Sequence, residues 1–296
     1  MPSGRMTVVV NAKAGSGSGP AAISAALRAA GVDGEVLAVR GDRLGATARD
    51  AAGAGAAAVV AAGGDGTVSA VAGALAGTAT PLGVLPLGTF NHFARDLGLP
   101  LELEEAARVL ARGAVREVDV AEVNGRVFVN NSSVGLYPLA VRDRERRRVL
   151  PKAVAMALAV ARTLARLPVF HLRLRVGGVA LPRPTPVLFV GNNLYDLDLF
   201  APQRRAALDG GALSVFVVRH ATRAGLAGMA LRAAVGRLDT ARDLEALAVP
   251  ELVVDARRGR LLVSADGEVF RAATPLVYRA RPRALRVLAP PPGSAP

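Results

Sequence analysis

Apolar runs of strand length at residues 6–10, 35–39, 57–62 and 82–86 alternate with stretches at 21–30, 46–54 and 68–75 whose apolar positions return at helical spacing. This rhythm predicts an α/β N-terminal domain with a mainly parallel sheet and helices on its faces. From about residue 115 the texture changes. Strand-like runs at 117–123, 127–131, 169–176, 187–191, 212–218, 252–255, 261–265 and 268–272 follow one another, interrupted by helical stretches at 149–167 and 222–235. The pattern predicts a first domain over 1–114 and a β-rich domain over 115–275. A last strand within 276–296 returns to the first domain before a frayed, proline-rich tail.

Composition narrows this picture. With 51% apolar residues in 296, the chain can bury a substantial core. It has no cysteine, which excludes disulfides, thiolate metal sites and thiol nucleophiles and suits a reducing cytosol. The strongest candidate for a membrane span begins at Ala153 but is broken by Arg162 and Arg166, and no signal-peptide pattern opens the chain, so a cytoplasmic protein is expected. The net charge of +13 is carried almost wholly by arginine, Lys13 and Lys152 being the only lysines. A basic surface attracts nucleic acid, anionic lipid headgroups or polyphosphates. Aromatic residues make up only 4% and no RNA-binding aromatic motif is present, which argues against nucleic acid.

Three glycine-rich segments follow predicted strands. Asn11-Ala12-Lys13-Ala14-Gly15-Ser16-Gly17 can turn several backbone N–H groups toward one anion, with a helix N-terminus beyond it, although it lacks the Gly-Lys-Ser/Thr of a Walker loop. Gly63-Gly64-Asp65-Gly66-Thr67 repeats that geometry with a carboxylate inside it. Its glycines admit a phosphate close to the backbone, and Asp65 can orient a hydroxyl or a hydrated Mg²⁺, although a capped tight turn would use the same residues. Pro86-Leu87-Gly88-Thr89-Phe90-Asn91 ends the next strand and so falls at the same carboxyl edge, where ligands of open α/β sheets bind.

In this order the three segments resemble the diacylglycerol kinase catalytic-domain family, which includes bacterial lipid kinases and to which sphingosine kinases are related. The resemblance continues through Asn131-Ser132-Ser133-Val134-Gly135-Leu136, Gly191-Asn192-Asn193, Leu208-Asp209-Gly210-Gly211 and Asp266-Gly267-Glu268. It implies an ATP-binding first domain, a β-sandwich-like lipid domain and an active site in the cleft between them. It also implies transfer of the γ-phosphoryl group of ATP, with Mg²⁺, to a diacylglycerol-like lipid hydroxyl. Asn11, Gly15, Gly63, Gly64, Asp65, Gly66, Thr67, Ser69, Gly88, Thr89 and Asn91 would hold the nucleotide, with Asp65 also a catalytic candidate. Asp266 or Glu268 would be the general base, and the sequence leaves open which. The pair also sits at an Asp-Gly turn signal between two strands, so a plain hairpin explains it as well.

The chain departs from the family pattern in two places. His92 stands where the family usually has aspartate. The turn Asp209-Gly210-Gly211 lacks the second acid of an accessory Mg²⁺ site, leaving Asp209 and the Gly211 backbone as its remnants. The arginines at 142, 144, 146, 147 and 148, ahead of the apolar stretch 149–167, would suit peripheral docking on an anionic membrane surface. A homodimer is admitted, with nothing in these residues to select it. The competing readings are an NAD kinase-like enzyme, which shares Gly-Gly-Asp-Gly-Thr, and an idle lipid- or nucleotide-binding protein.

Overall fold

The computed structural model describes residues 4–12, 19–135, 138–139, 169–195, 205, 207–220, 222–234 and 240–291. The loop residues 13–18, the basic cluster at 142–148 and the expected helix at 149–167 lie outside them.

The first half follows the expected rhythm. Strands β1 (Met6–Asn11), β2 (Gly34–Val39), β3 (Val59–Gly63) and β4 (Leu82–Pro86) lie in the order β2-β1-β3-β4, all parallel. Helices α1 (Pro20–Ala29), α2 (Leu44–Gly53) and α3 (Asp65–Leu75) connect them. Every residue of β3 and β4 is buried, as strands covered on both faces must be. The strand order reverses beside β1, with β2 on one side and β3 on the other. That creates a crevice at the carboxyl ends of β1 and β3, the place where such sheets receive ligands. The short helix α4 (His92–Asp96) follows β4. Helix α5 (Leu103–Arg112), which the strand-dominated reading passes over, buries Leu103, Ala106, Ala107 and Leu110 at helical spacing. Glu104 and Glu105 in its first turn and Arg112 in its last favour its dipole.

The second half is a sandwich. Strands β7 (Asn131–Gly135), β10 (Val187–Asn192), β11 (Leu213–Val218), β12 (Leu244–Val249), β14 (Arg260–Ala265) and β15 (Glu268–Ala273) form an antiparallel sheet in the order β12-β11-β10-β7-β14-β15. The opposing layer comprises β5 (Ala114–Val123), β6 (Arg126–Phe128), β8 (Phe170–Val176), β9 (Val179–Thr185), β13 (Glu251–Ala256) and β16 (Leu276–Ala289). Helices α6 (Arg223–Ala234) and α7 (Thr240–Asp243) lie between β11 and β12. Alternation sets the faces: Leu172 and Leu174 of β8 point into the core while His171, Arg173 and Arg175 face outward. Two strands escape the hydrophobic reading. In β9, Pro182 and Pro184 suit an edge strand but break the apolar alternation. In β12, also an edge, only Val249 is buried.

Strand β16 joins the two halves. Its Leu276–Arg279 stretch pairs β13, while Val287 pairs Leu82 of β4 in parallel, so one continuous sheet runs from the α/β layer into the sandwich. Its register against β5 shifts between Arg281 and Leu285, where Arg283 has φ 50°. Asp119, 1% exposed, holds that irregularity by accepting from Arg283 N at 2.8 Å and from Gly211 N at 2.7 Å.

A buried ion pair fastens α4 to the sandwich. Arg205 Nε donates to Asp96 Oδ2 at 2.8 Å, with the two side chains 0% and 6% exposed. The guanidinium also reaches Asn130 Oδ1 at 3.3 Å and lies between the rings of Phe93 and Tyr195. Removing one partner of such a pair leaves an uncompensated buried charge, so Asp96→Ala is expected to cost about 3–5 kcal/mol in denaturant unfolding. Glu105→Ala, which breaks an exposed pair with Arg108, is expected to cost about 1 kcal/mol or less.

Candidate active site

Parallel register brings the first and third strands' carboxyl ends level. Val10 lies opposite Ala62 and Gly63 opposite Pro86, so Asn11, the Gly63–Thr67 turn and the Gly88–Asn91 turn share one edge. The two turns touch through glycine. A Cβ on Gly88 would fall 2.4 Å from Gly64 Cα and 2.7 Å from Asn91 Oδ1, closer than any side chain tolerates. Neither loop could approach the other with a larger residue there.

Each residue of these turns has a definite role in the geometry. Gly64 caps α3 in an extended conformation; its carbonyl takes the Thr67 amide at 2.9 Å, which leaves the Asp65 and Gly66 amides as the helix-start donors for a ligand. Asp65 begins that helix, and its Oδ1 is buried without a hydrogen-bond partner among the described residues. A buried carboxylate oxygen left so needs a cation, a water or a ligand donor. Thr67, 7% exposed, folds back over Gly63, whereas Thr89 is open to solvent at the rim.

Two nucleotide-site expectations change here. Asn91 does not reach outward: with φ 52°, its Oδ1 accepts from Gly88 N at 3.0 Å and its Nδ2 donates to Gly88 O at 2.9 Å, so it shapes the turn from beneath. Ser69 also serves a protein partner, donating its hydroxyl to Asp266 Oδ2 at 2.6 Å. Asn11 stands at the expected edge, and Gly15 lies outside the described residues.

The second domain contributes the β14–β15 hairpin, where Asp266 and Glu268 part company. Asp266 has φ 45°, which turns its carboxylate inward. Besides Ser69 it accepts from Val129 N at 2.8 Å on Oδ2, and from Asn130 N at 2.8 Å and Asn131 N at 3.1 Å on Oδ1. Three successive amides aimed at one carboxylate explain why the expected strand at 127–131 is broken between β6 and β7. Burial pushes the Asp266 carboxyl above the usual aspartate range, while Ser69 and the three amides pull the other way. Both of its oxygens are committed. Glu268 is the opposite case: its side chain is 56% exposed, and its Oε1 lies 4.0 Å from where a Cβ on Gly66 would stand. Its other oxygen is held by Arg126, whose guanidinium lies over the Phe270 ring, 4.3 Å from the centroid. Glu268 is thus the hairpin carboxylate that faces the α3 turn across the cleft.

The remaining motifs have structural roles. Asn192 Nδ2 donates to Asp119 O and Val129 O, each at 3.0 Å, while Asn193 Oδ1 accepts from Gly210 N at 2.9 Å. These contacts and the Asp119–Gly211 bond hold the 208–211 turn against the β16 irregularity. The accessory metal expectation at Asp209 and Gly211 gains no support from this geometry. Asp209 is exposed, the Gly211 amide is used by Asp119, and no three His, Cys, Asp or Glu side chains gather among the described residues. His92 is an exposed helix residue stacked on Phe90, with ring centroids 5.6 Å apart. Sequence reasoning missed Arg205, Asp96 and Arg126. One more arginine in an arginine-rich chain carries no signal, and only the fold brings Arg126 to the hairpin.

The diacylglycerol kinase catalytic domain model matches residues 5–123, and the model for the YegS C-terminal NAD kinase beta sandwich-like domain matches residues 131–289. The chain belongs to the YegS-like lipid kinase family. It is therefore a phosphotransferase with an alcohol acceptor, and the cleft between the α3 turn and the β14–β15 hairpin is where the two family domains meet. A protein of Pseudomonas savastanoi pv. phaseolicola named "Probable lipid kinase YegS-like" is 33% identical over 234 residues, 70% of this chain and 74% of the relative. The Bacillus subtilis protein named "Diacylglycerol kinase" is 46% identical over 55 residues, 18% of each chain. A crystal structure described as a "putative diacylglycerol kinase" from Bacillus anthracis str. Sterne superposes with a TM-score of 0.77 at 25% identity, covering 97% of this chain and 95% of that one.

The glycine contact yields a direct test. Gly88→Ala must push the two turns apart and is expected to cost about 1–3 kcal/mol, read as a lowered thermal midpoint. Gly53→Ala, where a Cβ meets nothing within 4 Å, is expected to leave the midpoint unchanged or raised.

Proposed function

We propose that this chain is an ATP-dependent lipid kinase that transfers the γ-phosphoryl group to the hydroxyl of a diacylglycerol-like lipid, with Glu268 as the general base. The observation that carries the assignment of the base is the contrast within the hairpin. Both Asp266 oxygens are consumed by hydrogen bonds, whereas Glu268 is exposed with one oxygen toward the α3 turn. Family membership and the YegS-like relative support the substrate class.

Phosphoryl transfer needs positioning and charge neutralisation more than covalent help. The first-turn amides of α3, beside Gly64 and Gly66, would face the phosphates, and Thr89 would reach them from the rim. Gly63 leaves room for Thr67 and Gly88 for Gly64, so the two turns that would line the crevice can close against each other. Glu268 would take the proton of the lipid hydroxyl, and Asp266 would fix the hairpin that carries it. Mg²⁺ fits the donor set present here. Asp65 offers a buried oxygen without a partner, and no larger acid cluster exists among the described residues. Magnesium is commonly held by one or two carboxylates together with substrate phosphates and water. When bound, it would neutralise charge on those phosphates, with Asp65 its protein ligand.

No helix among the described residues is long and apolar enough to cross a membrane. The enzyme would instead meet its substrate by peripheral contact with an anionic membrane surface, to which the net charge of +13 contributes.

Incubation with labelled ATP, Mg²⁺ and vesicles holding different lipid alcohols is expected to label a diacylglycerol-like lipid. Labelled NAD with unlabelled lipid would instead establish the NAD kinase-like alternative. Glu268→Gln is expected to lower kcat by about 10²–10⁴-fold while ATP still binds. Full activity in that variant would remove Glu268 from the role of base.

A further inference from the structure

Beside the Mg²⁺ that Asp65 would hold, the cleft assembled above offers carboxylates, amides and hydroxyls, and the transferred phosphoryl group, an anion, calls for a protein cation as well. The described side chain placed to supply it is Arg126. Its strand, β6, packs on α3, where a Cβ on Gly73 would lie 3.6 Å from Val127 Cβ. The turn that leads into it is fixed: Asn124 and Gly125 take φ 49° and 81°. Asn124 Oδ1 accepts from Val277 N at 2.7 Å, and its Nδ2 donates to Ala273 O at 3.0 Å. From this base the Arg126 side chain crosses the Phe270 ring and gives one nitrogen, Nη2, to Glu268 Oε2.

A guanidinium carries five N–H donors in a rigid fork. The ion pair with Glu268 engages one nitrogen, and among the described residues the only other partner of the group is the face of Phe270. The side chain is 43% exposed, so the remaining donors can reach a ligand. Glu268 in turn stands beside Gly66 at the start of α3, where the kinase reading above would seat the phosphates.

We propose that Arg126 is a catalytic cation that binds the γ-phosphate of ATP and neutralises the phosphoryl group as it moves. This inference rests on the kinase reading above. Before the reaction, Glu268 is a carboxylate and shares the guanidinium with the phosphate. The hydroxyl proton of the acceptor then passes to Glu268, and the hydroxyl oxygen bonds to the γ-phosphorus. The bond from that phosphorus to the bridging oxygen breaks, and its electron pair leaves with ADP. Protonation neutralises Glu268, so the charge of Arg126 falls wholly on the transferred group as its bond to ADP is lost. The ion pair therefore couples proton removal to charge stabilisation. A role limited to holding Glu268 would leave nucleotide affinity untouched.

The test is titration calorimetry of the full chain with Mg²⁺ and either β,γ-methylene-ATP or ADP. Arg126→Gln is expected to weaken the ATP analogue by about tenfold or more and ADP by less than about twofold, since one charge-assisted contact to the γ-phosphate is lost. Arg126→Lys, which keeps the charge, is expected to recover part of that loss. Equal weakening of both nucleotides, or none of either, would overturn the proposal while leaving the kinase assignment in place. If the wild-type chain binds neither nucleotide, the ATP-dependent reading itself fails and this inference with it. Thermal midpoints of both variants near that of wild type separate lost contact from lost fold.

Discussion

The arrangement of the cleft depends on the Asp266 carboxylate. It gathers three consecutive backbone amides of one domain's connecting segment and the hydroxyl of Ser69 on α3 of the other. Each of these four hydrogen bonds contributes about 0.5–1.5 kcal/mol, so together they let this group impose an irregular backbone on Val129–Asn131 in place of a continuous strand. That irregularity has consequences on both sides. It turns Val129 O and Asn130 Oδ1 toward Arg205, and Arg205 carries the connection to Asp96 on α4. Helix α4 begins at the turn that Asn91 shapes, and Gly88 of that turn rests on Gly64 at the start of α3. The contacts close a ring through both domains and return to the helix that carries Ser69.

A rigid ring of this kind separates two tasks that one Asp-Gly-Glu hairpin could have mixed. Asp266, half-buried and fully engaged, sets where the hairpin stands. Glu268, two residues on, projects from it into the cleft with one oxygen held by Arg126 and one toward Gly66. A reacting group must be held within a fraction of an ångström, and a supporting layer of committed hydrogen bonds provides that precision. The exposed carboxylate and its guanidinium partner are thereby left open to a ligand, as the proposed reaction requires.

Much of this was legible in the sequence, for physical reasons that differ by element. Strands β1, β3 and β4 show as apolar runs because both faces are covered, and the glycines after β3 and β4 mark a backbone-to-backbone contact that excludes side chains. The edge strands β9 and β12 were invisible, since a half-exposed edge with prolines or small residues has no apolar period to read. Asn91 reads as a ligand contact because a polar residue in a glycine-rich turn looks alike whether it faces outward or inward, and the same role for Ser69 rests on the family resemblance alone. The choice between Asp266 and Glu268 was undecidable for a related reason: the αL conformation of Asp266 and the amides that fill its oxygens exist only after β6, β7 and β14 have met. Arg205 and Asp96, 109 positions apart, gave no local signal at all.

The most direct test of the central claim is residue-resolved amide hydrogen exchange on Asp266→Ala beside the wild-type chain. The expected result is a joint loss of protection at Val129–Asn131 and in the turn of α3 that carries Ser69, with the central amides of β1 and β3 still protected. Unchanged exchange at Val129–Asn131 would show that Asp266 does not organise the cleft and would contradict this account.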